Sequence, residues 1–173
     1  MTARRLIVMR HAKSSWKEPY ESDHVRPLKS RGRREALCTA QELVDSGWSP
    51  EMVLSSDSTR TQETWVCMAE SLNGTLVAPV QFTRELYHAG LDALKTQLRG
   101  LPDEVNTVLV LGHNPGWEEA VERLTGLTYV VMKTAHAALL HAPAGSWADA
   151  LAREGAWKLE RVIDPRGLLE HND

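Results

Sequence analysis

Apolar residues along the 173-residue chain fall into two patterns. Continuous runs at Leu6 to Met9, Met52 to Leu54 and Thr107 to Leu111 read as strands covered on both faces. Between the runs, apolar positions recur every three or four residues, as one face of a helix requires. Ala36, Leu37, Ala40, Leu43 and Val44 form such a stripe, with Ser30 as its expected N-cap and Gly47 as its stop. Thr61, Thr64, Trp65, Met68, Ala69 and Leu72 form a second, capped by Ser58 and broken at Asn73-Gly74. Leu91 to Leu98 predicts a third helix. Trp117, Ala120, Val121 and Leu124 predict a fourth, with Pro115 in its first turn and Gly126 near its end. Val80 to Phe82 reads as a short strand, and Ala135 to His141 and Ala156 to Ile163 read as closing strands.

Strands alternating with helices predict an α/β fold, a three-layer sandwich with a mainly parallel central sheet flanked by helices. The expected division is one domain over residues 1–163 and a charged tail over 164–173 with a turn at Pro165 to Gly167. The chain shows no internal repeat, low-complexity tract or linker.

Charge and cysteine usage narrow the function. Twenty Lys and Arg against 23 Asp and Glu leave a net charge of −3, which argues against a nucleic-acid or general membrane-surface binder. Cys38 and Cys67 stand alone, without disulfide or zinc spacing, as expected of free thiols in a reducing cytoplasm. The run Leu6 to Met9 is too short for a signal peptide or a membrane span. A soluble cytoplasmic protein is therefore expected.

The chemistry gathers at predicted strand ends. Arg10-His11 follows the first strand, Ser55 to Arg60 the second, and His113-Asn114 the strand ending at Leu111. In open α/β sheets, ligands bind at the carboxyl ends of strands. Two arginines and two histidines brought together there suit phosphate, because guanidinium groups fork onto its oxygens and neutral imidazole donates or attacks. Helix N-termini near Ser58 and Pro115 add amides for the same anion.

Leu6-Ile7-Val8-Met9-Arg10-His11, Ser55-Ser56-x-x-x-Arg60-x-x-x-Thr64 and Leu111-Gly112-His113, in that order, resemble the histidine phosphatase superfamily, the phosphoglycerate-mutase-like fold. Arg26-Pro27-Leu28 followed by Gly32, Gly112-His113-Asn114-Pro115-Gly116 and the short length are similar to its SixA-type branch of phosphohistidine phosphatases. The resemblance runs from Leu6 to about Ala142. It implies a metal-independent hydrolase without cofactor, in which His11 attacks phosphorus and is phosphorylated before water releases phosphate. Arg10, Arg60 and His113 then hold the equatorial oxygens. Glu85, in Arg84-Glu85-Leu86, falls where many members carry a proton-donating glutamate. Arg26, Ser14, Lys13 and Asn114 are candidate phosphate-binding residues, and alanine follows His11 where the superfamily commonly has glycine.

The interval from Glu85 to His113 has room for one helix and one strand, so no large cap insertion covers the site. An open site suits phosphohistidine on a partner protein domain. A phosphatase or mutase for a small phosphoester, and a phosphate-binding module without turnover, are the alternatives. His24, His88 and His171 read as surface residues. His136 and His141, five apart in a predicted strand, face opposite sides and share no metal. Ser55 and Ser56 read as strand terminators.

Overall fold

The computed structural model describes residues 3–71 and 76–171. Six strands form a single sheet: β1 (Ala3–Arg10), β2 (Met52–Ser56), β3 (Val80–Thr83), β4 (Thr107–Gly112), β5 (Ala137–Pro143) and β6 (Lys158–Ile163). Their spatial order is β3-β2-β4-β1-β5-β6. The pairs among β3, β2, β4 and β1 are parallel, whereas β5 runs antiparallel to both β1 and β6. The helices are α1 (Ser30–Asp45), α2 (Thr59–Ser71), α3 (Leu91–Arg99), α4 (Gly116–Thr125), α5 (Trp147–Leu151) and α6 (Pro165–His171).

The central strands show why this becomes three layers. Leu6, Ile7, Val8 and Met9 are all fully buried, yet alternate residues enter different cores. Leu6 and Val8 pack with Leu94, Trp117, Val121 and Trp147 from α3, α4 and α5. Ile7 and Met9 pack with Ala36, Leu43, Trp65 and Met68 from α1 and α2. β4 divides likewise, Val108 and Val110 to the first core and Leu109 and Leu111 to the second. Each such side chain contributes roughly 1.5–3 kcal/mol of transfer free energy, so a strand apolar on both faces is most stable in the middle of the sandwich.

Two segments differ from the sequence reading. Residues Pro165–His171, expected as part of a charged tail, form α6. Asp164 Oδ1 accepts from the amides of Arg166 and Gly167, Pro165 occupies the first helical position, and Leu168 packs on the second core. The short helix α5 has no counterpart in the reading above. Ser146 caps it, its Oγ accepting from Asp149 N at 3.0 Å, and Trp147 buries its face.

Smaller differences concern boundaries. Ser30 is the first residue of α1 rather than its cap, which is Lys29 without a side-chain bond. Ser58 does cap α2, its Oγ accepting from Thr61 N at 3.3 Å. β5 begins at Ala137, so His136 precedes the strand and pairs with Asp164 at 3.3 Å. Leu72 and the Asn73-Gly74 break lie outside the described residues. Among the described residues, no helix is long and apolar enough to cross a membrane.

Candidate active site

Register brings the strand ends together. Arg10 pairs with Gly112 across β1 and β4, and Ser55 pairs with Leu111 across β2 and β4. His11, Ser56 and His113 therefore emerge side by side. α1, which follows β1, lies against the second core and α4, which follows β4, against the first, so the two helices leave opposite faces of the sheet. The crevice between adjacent strands whose connections diverge is where α/β sheets bind ligands.

His11 is held on every side. Its amide donates to Gly112 O at 3.1 Å, and its carbonyl accepts from Ala135 N at 3.0 Å. Its Nδ1 lies 2.7 Å from Ala12 O, a partner that only accepts, so Nδ1 carries the proton. Nε2 is left with a lone pair and accepts from Arg60 Nε at 3.3 Å. Thr64 Oγ1, accepting from Ala12 N at 3.1 Å and donating to Arg60 O at 2.6 Å, fixes the two segments to each other.

Electrostatics keep this ring neutral. The His11 side chain is lowered from its ordinary 6.5 to about 3, chiefly by burial and further by Arg60, Arg10 and Arg26, against an opposing contribution from the Ala12 carbonyl. His113 is lowered to about 2, again chiefly by burial, with His11, Arg60 and His88 adding to it. Its Nδ1 faces Arg60 Nη2 at 3.3 Å and therefore accepts, leaving Nε2–H to donate to Ser56 Oγ at 2.8 Å. Ser56 thus does more than end a strand, since its hydroxyl accepts from the Nε2–H that the Arg60 contact leaves on His113.

Arg60, only 1% exposed, is the hub. Besides the two histidines it donates to the Asp23 carbonyl at 2.7 Å through Nη1 and to Asp23 Oδ2 at 2.9 Å through Nη2. Arg10 donates through Nη1 to Met132 O at 3.2 Å, and its buried Nε has no hydrogen-bond partner among the described residues. A buried guanidinium N–H without an acceptor is costly, and such an orphan on the residue next to His11 is a donor suited to an anion.

The other residues picked from the sequence separate into two groups. Arg26 is buried; its Nη1 donates to Ser14 Oγ at 2.8 Å, its Nε to Asp23 Oδ1 at 3.0 Å, and its guanidinium lies 3.4 Å from the Trp16 ring centre. Arg26 and Ser14 thus adjoin the cluster through Asp23. Lys13 is half-buried among Arg31, Lys29, Arg166 and Arg10, which together with burial lower its ammonium. Asn114 is committed to scaffolding, its amide donating to Met132 O at 2.7 Å and its oxygen accepting from Glu118 N at the start of α4.

Glu85 is not brought to the cluster. The 3-10 turn Arg84–Leu86 is capped by Thr83, whose Oγ1 accepts from Glu85 N, and the exposed Glu85 carboxylate accepts from Gln97 of α3 at 2.7 Å. Among the described residues, no hydrogen bond or ion pair joins Glu85 to His11, His113, Arg10 or Arg60.

Three residues that the sequence did not single out for the site do join it. Asp23 Oδ2 accepts from Tyr87 OH at 2.5 Å and lies 3.1 Å from His88 Nε2. Burial pushes the Asp23 carboxyl up, but hydrogen bonds from Tyr87, Arg60 and His88 outweigh it and hold the group well below the usual carboxylate range. The His88 ring sits 4.8 Å from that of His113, although His88 reads as surface in the sequence. Asp23 stands three residues before Arg26-Pro27-Leu28, the one linear hint; nothing linear marks Tyr87 or His88. Among the described residues, no three His, Cys, Asp or Glu side chains gather to hold a metal ion.

The family model of the histidine phosphatase superfamily (branch 1) matches residues 6–100. An uncharacterized chloroplastic protein of Arabidopsis thaliana is 41% identical over 173 residues, covering 94% of this chain and 78% of the relative. Among solved structures, a Nakamurella multipartita protein assigned as the phosphohistidine phosphatase SixA superposes with a TM-score of 0.83 at 26% identity, covering 95% of this chain and 98% of that one. The protein histidine phosphatase SixA complexed with tungstate superposes with a TM-score of 0.79 at 25% identity, covering 95% and 99%. The chain belongs to branch 1 of the histidine phosphatase superfamily and, within it, to the SixA-type group.

Proposed function

We propose that this protein is a phosphatase that passes a phosphoryl group through His11 Nε2 and acts on phosphohistidine carried by a partner protein domain. The observation that carries the reading is the state of His11: neutral, with Nδ1–H fixed on Ala12 O and the Nε2 lone pair facing Arg60. A nucleophile of this kind must be unprotonated and oriented before substrate arrives. In-line attack forms the Nε2–P bond as the bond to the leaving group breaks, and water then cleaves Nε2–P to release phosphate. Arg10, Arg60 and His113 take the equatorial oxygens, Arg10 with its unpartnered Nε. Three guanidinium groups, with Arg26, supply the positive charge that a metal ion supplies elsewhere.

Two considerations support a protein-borne substrate. Between β3 and β4 the chain contains only the turn Arg84–Leu86 and α3, so no inserted subdomain covers the site. The similar structures named above are described as phosphohistidine phosphatases, and one was solved with tungstate, a tetrahedral oxyanion.

The test is incubation with a ³²P-phosphohistidine protein and, separately, a panel of sugar phosphates. Acid-labile label is expected on the wild type and not on His11→Ala. Label trapped equally on both variants removes His11 as nucleophile. Turnover of sugar phosphates with none on the phosphoprotein removes the substrate assignment.

A further inference from the structure

Protonation of the leaving atom needs a donor near the reacting groups, and the Glu85 carboxylate bonds Gln97 of α3 rather than His11, His113, Arg10 or Arg60 among the described residues. His88 is placed for that task. Its backbone is left-handed, with φ of 53°, uncommon for a residue with a side chain. The segment after it is clamped on α4: a Cβ on Gly116 would come within 2.0 Å of Ala89 O, so only glycine permits this approach. The turn thus formed directs the His88 ring inward, 4.8 Å from His113 and 4.2 Å from Tyr87.

The histidines form a series in depth. His11 and His113 are 6% and 2% exposed, their rings 5.3 Å apart, whereas half of the His88 side chain meets solvent. In-line displacement sends the leaving group away from His11, and His88 is the most exposed of the three rings. Behind His88, 3.1 Å from its Nε2, is the Asp23 carboxylate. A carboxylate backing an imidazole stabilises the imidazolium and fixes its orientation. The charged and titratable groups around the ring are Asp23 from the 3-10 turn Asp23–Val25, Tyr87 beside it, His113 after β4, and Arg60 of α2, which shares Asp23. Tyr87 is already committed as a donor to Asp23, and burial together with that carboxylate raises its phenol, so it is not the exchanging acid.

We infer that His88, held by Asp23, is the general acid that protonates the leaving atom and the base that takes a proton from the hydrolytic water. The inference rests on phosphoryl transfer to His11. In the first step the Nε2–P bond forms, the P–O or P–N bond breaks, and the leaving atom takes the proton of the His88 imidazolium. In the second, a water oxygen bonds to phosphorus, Nε2–P breaks, and the neutral His88 accepts the water proton. The cycle consumes one water and restores both histidines.

The test compares wild type with His88→Asn, asparagine being tolerant of a left-handed backbone, and with His88→Gln. Values of kcat/KM, which report the first phosphoryl transfer, are measured for p-nitrophenyl, phenyl and alkyl phosphates over pH 5 to 9. In both variants the loss is expected to grow with leaving-group basicity, reaching about 10²-fold on the alkyl phosphate and at least ten times less on p-nitrophenyl phosphate. A uniform loss across all leaving groups, or none, overturns the acid assignment while trapped phospho-His11 still upholds the nucleophile. A wild type that traps no phosphate from p-nitrophenyl phosphate overturns both.

Discussion

Acid should unfold this protein earlier than its carboxylates alone would require, because His11 and His113 are buried as neutral rings. In the unfolded chain each titrates near 6.5; in the folded chain the values are about 3 and about 2. Between those limits the unfolded state binds more protons, so stability is lost as pH falls below 6.5. At pH 5 each ring costs about 2 kcal/mol, together about 4 kcal/mol, a large share of the roughly 5–15 kcal/mol that typically stabilises a domain. Asp23, Asp57 and Asp164 are held below the ordinary carboxylate range and so lose their contribution only at lower pH. The buried His136, also lowered by burial, adds to the acid loss. Urea unfolding at pH 7.5 and 5.0 measures the effect directly; by heat, Tm should fall by roughly 8–16 °C. In His11→Asn/His113→Asn, most of the difference between the two pH values should vanish. A wild-type difference below about 1 kcal/mol, or an equal difference in the double variant, refutes the argument.

Arg60→Lys removes the Nε donor to His11 and the fork that holds Asp23, so kcat/KM on phenyl phosphate should fall about 10²–10³-fold, and a loss below tenfold counts against the hub. Glu85→Gln, altering a carboxylate bound to Gln97, should leave alkyl phosphate hydrolysis within about twofold of wild type, whereas a general acid there is worth about 10²-fold or more. Gly32→Ala places a Cβ 2.3 Å from Lys13 O, where α1 crosses the loop after His11. Overpacking against backbone should cost about 1–3 kcal/mol in a urea titration, and an unchanged midpoint means that the loop gives way freely.

The parts of the fold legible from sequence are those where one local signal suffices. Leu6 to Met9 are apolar at every position, and Thr107 to Leu111 at every position after the threonine, the pattern expected of a strand covered on both faces, and these runs form β1 and β4 at the centre of the sheet. α6 has the composition of a charged tail because only a short apolar pair, Leu168-Leu169, interrupts its polar residues and Leu168 is only partly buried on the second core, although Asp164-Pro165 is a helix start. At the site, Arg10, His11, Arg60 and His113 were legible because each closes or follows a recognisable element. His88 was not, since its place depends on a left-handed turn and on the fit of Ala89 against Gly116. Glu85 shows the converse, a residue at a telling position whose local turn sends its carboxylate to α3.

The reversed direction of β5 has a consequence for what borders the cluster. Parallel strands leave the sheet at the edge where His11 sits, but β5 enters there, so the segment ending at Met132 arrives beside Arg10 and Asn114 as a lip. Met132 itself is buried in the first core and Val130 packs against it, whereas Leu127, Tyr129 and Val131 are exposed, Tyr129 by 92%. Substitution at those three positions changes the surface of that segment without opening a cavity in either core. The strand that runs against its neighbours thus brings to the border of the cluster a segment whose side chains are alternately anchored and free, while the parallel strands β1 and β4 lead directly into His11 and His113.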